Sequence, residues 1–175
     1  MTPADLISQM LNNMGRHLPQ NTFSLAQQQG LTFHQVLILA SIVEREAALD
    51  EERPLIASVY LNRLKPSIVN FHLQADPTVQ YAMGYQSGSR QWWKTPVSLE
   101  EYQQIDSPYN TYLYPGLPPG PIANPGLASI MAVLQPAQTD YLFFVCRHPR
   151  CEGGEHVFSH TYEEHLQNAQ IYWEQ

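Results

Sequence analysis

Two glutamates, Glu44 and Glu46, interrupt the otherwise apolar stretch 33–49 and are the residues best suited to proton-transfer chemistry. A carboxyl group among apolar neighbours loses hydration when charged, so its pKa rises. A general acid working near neutral pH needs that property. Residues two apart lie about 200° from one another around a helix, so the pair cannot share one task. Glu46 follows Ile42 and Val43 by four and three residues and projects beside them, which makes it the expected acid. Glu44 lies beside Ser41 and Ala48, within reach of Arg45 or Arg53. The plainer reading makes both glutamates solvated charges at a fraying helix end.

Three other groupings could carry chemistry. Gln74, Asp76 and Thr78 form a polar triplet that can line a cleft; the simpler account makes Asp76 the N-cap of a helix opening at Pro77. Tyr109, Asn110 and Tyr112, with the Pro/Gly-rich run 116–122 behind them, offer aromatic faces and an amide on a stiff loop, a combination suited to sugar rings. The alternative is a surface loop packed on itself. Cys146 and Cys151, with His148 and His156 nearby, raise the question of zinc. Four residues separate the cysteines and His156 follows only five residues on, so the geometry is doubtful for zinc and a local disulfide or two spectator thiols is favoured. The cysteines are read as structural at most, and neither metal nor cofactor is expected. No Gly-x-Ser-x-Gly elbow and no phosphate-binding glycine loop is present.

The elements that must position these residues are mostly helical. Residues 3–15 carry apolar positions near helical spacing, and 16–30 are polar and Gln-rich. The pair Thr32 and Gln35 is a capping-box pattern, and the apolar run behind it predicts a buried helix. A second helix is expected from about Asp50, with Pro54 in its first turn, stopping by Pro66. Short helices are expected over 79–83 and 98–104, the latter with a Ser98 and Glu101 capping pair, and another follows Pro125-Gly126. Residues 141–145 and 157–159 read as a β-hairpin, and 162–173 as a closing helix. The expected fold class is α+β, mostly helical and lysozyme-like with a small hairpin. Residues 1–30 are a helical lead-in to a single domain over 31–175.

Composition narrows the partners. With 175 residues, 43% of them hydrophobic and 14% charged, the chain is long enough for one domain with a core. Its net charge of −7 argues against nucleic acid and against docking on anionic lipid. No apolar run approaches the roughly 20 residues of a membrane span, and residues 1–16 do not have the pattern of a signal peptide.

Five blocks in order carry a family resemblance: residues 40–46 (ASIVERE), 59–64 (VYLNRL), 73–78 (LQADPT), 109–112 (YNTY) and 116–122 (GLPPGPI). Together they resemble the endolytic murein transglycosylases, the YceG-like family, over a stretch from about Leu37 to the C-terminus. The resemblance implies cleavage of the β-1,4 bond between N-acetylmuramic acid and N-acetylglucosamine inside glycan strands. It implies 1,6-anhydro products and Glu46 as the acid that then acts as base. Gln74, Asp76, Thr78, Tyr109 and Asn110 become the expected substrate-binding residues. It also implies a place on the outer face of the bacterial inner membrane, through an anchor expected to lie outside these residues, with peptidoglycan strands as substrate and cell-wall synthases as candidate partners. Two alternatives stay open: a lysozyme-like muramidase that uses water with Asp76 as second carboxylate, and an inactive glycan-binding module.

Overall fold

Thr32 starts the central helix as the sequence pattern requires. Its hydroxyl accepts from the Gln35 N–H, and the Gln35 side chain accepts from the Thr32 N–H. The fold around it is a computed structural model that describes residues 1–65, 70, 72–94, 99–148 and 151–173. Helix α1 (Pro3–His17) and α2 (Thr22–Gln28) precede α3 (Phe33–Glu46). A 3-10 turn (Asp50–Glu52) then leads into α4 (Arg53–Arg63), which has its proline in the first turn. After these come α5 (Asp76–Met83), α6 (Leu99–Gln104) and α7 (Leu127–Leu134). Strands β1 (Phe143–Cys146) and β2 (His156–Ser159) pair antiparallel, and α8 (Tyr162–Trp173) closes the chain. The expected α+β class, mostly helical with one small hairpin, is the class the chain adopts.

Helix α3 is the core of the molecule. Val36, Leu39, Ala40, Ile42 and Val43 are fully buried, and they pack with Ile56 and Tyr60 of α4 and Ile130, Val133 and Leu134 of α7. Burying one such aliphatic side chain contributes roughly 1.5–3 kcal/mol before entropy is counted. Among the described residues, no helix is long and apolar enough to cross a membrane.

Several local expectations are corrected. The apolar run extends to Leu49, yet α3 stops at Glu46 because Ala47 turns to extended backbone. Residues 16–30, read as polar and Gln-rich within the helical lead-in with no element assigned, contain α2, which buries Leu25 and Ala26. Asp76 is not an N-cap. Ala75 holds that position, and Asp76 lies in the first turn of α5 with its carboxylate engaged elsewhere. Ser98 of the expected capping pair lies outside the described residues. Cys146 and Cys151, left open between disulfide and free thiols, are disulfide-bonded.

Candidate active site

The two glutamates at the end of α3 meet opposite surroundings. Glu46 is half-buried, and the buried Tyr60 of α4 donates its O–H to Glu46 Oε1 at 2.5 Å. Burial raises the Glu46 pKa to about 7 from an ordinary 4.5, against the Tyr60 hydrogen bond and the attraction of Arg45 and Arg63; the charge of Asp76 adds to the rise. Its place at the C-terminal end of a helix, where the backbone dipole presents negative charge, acts in the same direction.

Glu44 is tied down. Burial acts to raise its pKa too, but the Ser129 hydroxyl at 2.7 Å, the Gly126 N–H at 3.1 Å and the Arg53 guanidinium at 3.4 Å outweigh it and hold the carboxyl below its usual range. Gly126 is the N-cap of α7, so Glu44 supplies the negative charge that a helix N-terminus favours. A pair of carboxyls pushed apart in pKa separates the acid from the structural group. Glu44→Gln is therefore expected to lower stability by about 1 kcal/mol and to leave most turnover intact, a split that melting curves read beside activity assays would reveal. Loss of turnover with an unchanged melting temperature would reverse the assignment.

Residues 73–78 and 109–112 come together beside Glu46 and hold Asp76. Its carboxylate accepts from the Tyr112 O–H at 2.5 Å, and Tyr102 also donates to it. Burial, and then the charge of Asp76, push both tyrosine pKa values upward, so both remain O–H donors. Thr111 ties the two segments: its hydroxyl accepts from the Ala75 N–H at 3.0 Å and its carbonyl accepts from the Gln74 N–H at 3.1 Å. Gln74 is exposed with a left-handed φ of 51°, an uncommon conformation for a side-chain-bearing residue. Its Oε1 accepts from Arg63 at 3.3 Å.

The expected site residues divide into two groups. Glu46, Gln74, Asp76 and Tyr109 are exposed or half-buried. Thr78 and Asn110 are fully buried. The Thr78 hydroxyl pairs with the Ala75 carbonyl and the Thr111 hydroxyl. The Asn110 amide donates to the carbonyls of Tyr102 and Ile105 and accepts from the Tyr112 N–H. The polar groups of both residues are thus paired within the protein rather than presented at its surface.

Sequence reasoning missed Tyr60 and Arg63. Both lie in the quoted run 59–64, but Tyr60 reads there as one more apolar helix position and Arg63 as a C-terminal helix cation. It also missed an aromatic wall. Arg45 lies over the Trp93 ring at 4.2 Å, Trp93 meets Tyr81 at 6.1 Å, and Tyr81 meets Tyr109 at 4.8 Å. Tyr81 and Trp93, with Gln80, Gly84 and Trp92, line a cleft of about 350 Å³. The signal was the aromatic density of 81–93, which the sequence reading left unused.

A carboxyl whose pKa is raised to about 7 at the end of a buried helix, beside a tyrosine-bound aspartate, has the chemistry a general acid needs. The chain belongs to the YceG-like family, whose sequence profile matches residues 1–171. That match opens at residue 1 and so includes α1 and α2, ahead of the start near Leu37 on which the sequence resemblance rested. The chain is 39% identical over 168 residues to the endolytic murein transglycosylase of Bacillus subtilis (strain 168), covering 96% of this chain and 42% of that protein. It is 34% identical over 168 residues to the enzyme of the same name from Streptococcus pneumoniae serotype 2, covering 96% and 29%. A crystal structure of a YceG-like protein from Listeria monocytogenes superposes with a TM-score of 0.76 at 35% identity, over 95% of this chain and 49% of that one. The chain spans less than half the length of each of these relatives.

Proposed function

We propose that this chain is the catalytic part of an endolytic peptidoglycan lytic transglycosylase, acting outside the cytoplasm on the bond between N-acetylmuramic acid and N-acetylglucosamine. The observation that carries the reading is the split between Glu46, with its pKa near 7, and the neighbouring Glu44, held ionised by α7. In this mechanism Glu46 gives its proton to the glycosidic oxygen as the bond to the sugar C1 breaks. The resulting carboxylate takes the proton of the muramic acid C6 hydroxyl, which closes on C1. The products are a new hydroxyl end and a 1,6-anhydro end, and the proton count balances on one group. Asp76, held in place by hydrogen bonds from Tyr102 and Tyr112, supports positive charge at the anomeric centre. The wall of Tyr81, Trp93 and Tyr109 stacks sugar faces.

The test is mass spectrometry of peptidoglycan digested by the parent chain and by Glu46→Gln. Anhydro ends in the first digest alone are expected. Reducing ends would favour the muramidase reading, which the nearness of Asp76 to Glu46 keeps in play, with Asp76 activating water. Glycan binding without turnover by the parent chain would favour the inactive module.

The loop residues give a separate test. Tyr109→Ala is expected to lower turnover tenfold or more, on the order of 1.4 kcal/mol in the transition state, with little change in melting temperature. Asn110→Ala, which leaves buried backbone groups unpaired, is expected to cost about 1–3 kcal/mol of stability. Thermal melts and specific activity of the folded fraction distinguish the two. Full specific activity in folded Tyr109→Ala would make the loop scaffold only.

A further inference from the structure

We propose that Cys146, Cys151 and His156 form a redox-gated site for a zinc-class divalent ion, closed to metal as the disulfide and opened by a dithiol reductant. The three donor atoms, two Sγ and His156 Nε2, lie within 4.8 Å of one another. The imidazole stands almost evenly between the sulfurs, with Nε2 at 3.7 Å from Cys146 Sγ and 3.8 Å from Cys151 Sγ. Bonds of about 2.3 Å to sulfur and 2.05 Å to nitrogen at a tetrahedral angle separate two such ligands by about 3.6 Å. The histidine is therefore already at ligand spacing.

The fold explains how residues with unpromising spacing reach this geometry. In the hairpin register Cys146 and His156 are direct cross-strand partners, which brings their side chains together whatever the intervening sequence. Cys151, with a left-handed φ of 57°, lies in the turn between them. Expectations based on zinc-finger spacing do not apply to ligands paired across two strands.

A second observation separates this cluster from a disulfide with a chance neighbour. Buried Glu52 accepts from the His156 backbone N–H at 2.9 Å and faces His156 Nδ1 at 2.7 Å. A proton on Nδ1 leaves the Nε2 lone pair pointing at the sulfurs. A carboxylate behind a histidine, fixing its tautomer, is the usual support for a metal-bound imidazole. Phe144 meets the ring edge-on at 5.2 Å and holds its plane.

The chemistry balances. A dithiol passes two electrons and two protons to the Cys146–Cys151 bond and becomes a disulfide itself. The two thiols then release their protons to solvent as the metal binds. The fourth coordination position is left to water.

Cobalt(II) titration of the whole chain reads the site directly. The reduced protein is expected to bind one equivalent, with thiolate-to-cobalt charge-transfer absorption and tetrahedral d–d bands that zinc displaces. The oxidised protein should give neither. Glu52→Gln should weaken cobalt binding by 10–100-fold, and the double variant Cys146→Ser with Cys151→Ser should abolish the bands. Three results would overturn the proposal: a reduced parent chain that binds no cobalt, whether or not circular dichroism shows it folded; equal bands in the oxidised chain; or bands that survive in the double serine variant. The comparison of oxidised with reduced protein uses the unaltered sequence, so it stands even where a variant fails to fold.

Discussion

Glu46→Gln is expected to remove peptidoglycan cleavage by several orders of magnitude while the fold persists. General acid catalysis alone contributes roughly 10²–10⁴-fold, and under the proposed mechanism the same group serves both proton transfers. Glutamine keeps the shape and can still accept from the Tyr60 O–H, so the missing proton is the main change. Turnover of the parent chain should decline as pH rises through about 7, because Glu46 must begin protonated. Stability gives an independent reading with a definite sign. A carboxyl whose pKa is raised by folding binds its proton more tightly in the folded chain, so stability falls as pH rises from 4.5 to about 7, and the deficit then persists at higher pH. At most it amounts to roughly 3 kcal/mol. Glu46→Gln should therefore melt near the parent temperature at pH 4 and above it at pH 8. Equal turnover of the two proteins on purified peptidoglycan would sink the assignment of Glu46 as the acid.

The largest effect on stability is expected from Arg63→Leu. Arg63 is buried, with Nε donating to the Leu142 carbonyl at 2.7 Å and a guanidinium N–H donating to the Leu73 carbonyl at 2.5 Å. Its guanidinium also lies 4.8 Å from the Phe143 ring centre. Leucine fills part of the volume but strands two carbonyls and removes positive charge that acts on Glu46. The expected cost is about 3–5 kcal/mol, since an uncompensated buried polar group costs more than the bond it lost. A urea midpoint shift at constant m-value would measure it. Arg63→Lys keeps the charge but not the planar fork, so it should fall in between. A loss under about 1 kcal/mol for Arg63→Leu would mean that water replaces the guanidinium, and its anchoring role would be wrong.

What could be read in the sequence was local. The Thr32 and Gln35 cap, the buried face of α3 and Pro54 at the start of α4 all follow from near neighbours in the chain. So did the separation of Glu44 from Glu46, which is helix geometry. What could not be read was set by distant segments. The early end of α3 has no glycine or proline to announce it; the turn at Gly154, where an added methyl would overlap Ala48, packs against the residues just after the helix. Asn110 reads as a sugar ligand because an amide on an aromatic loop fits that part, and nothing in its neighbours revealed that its amide donates to the carbonyls of Tyr102 and Ile105. Tyr60 was hidden for the opposite reason, because an aromatic at a core position gives no sign that its hydroxyl faces a carboxyl from another helix.

The grip of α4 on the C-terminal hairpin region also sets an order of events in time. Asn62 donates to the carbonyls of Thr139 and Tyr141, and Arg63 donates to that of Leu142, across 77 to 79 residues of chain. Closing loops of that length is slow relative to forming a helix. As the chain leaves the ribosome from its N-terminus, α3 and α4 exist before their acceptors do. Until residues 139–142 arrive, the helix that carries Tyr60 has no fixed end, and Glu46 has a partner without a fixed position. The pairing of Tyr60 with Glu46 is thus expected to be among the later contacts to become fixed, although Glu46 itself lies early in the sequence.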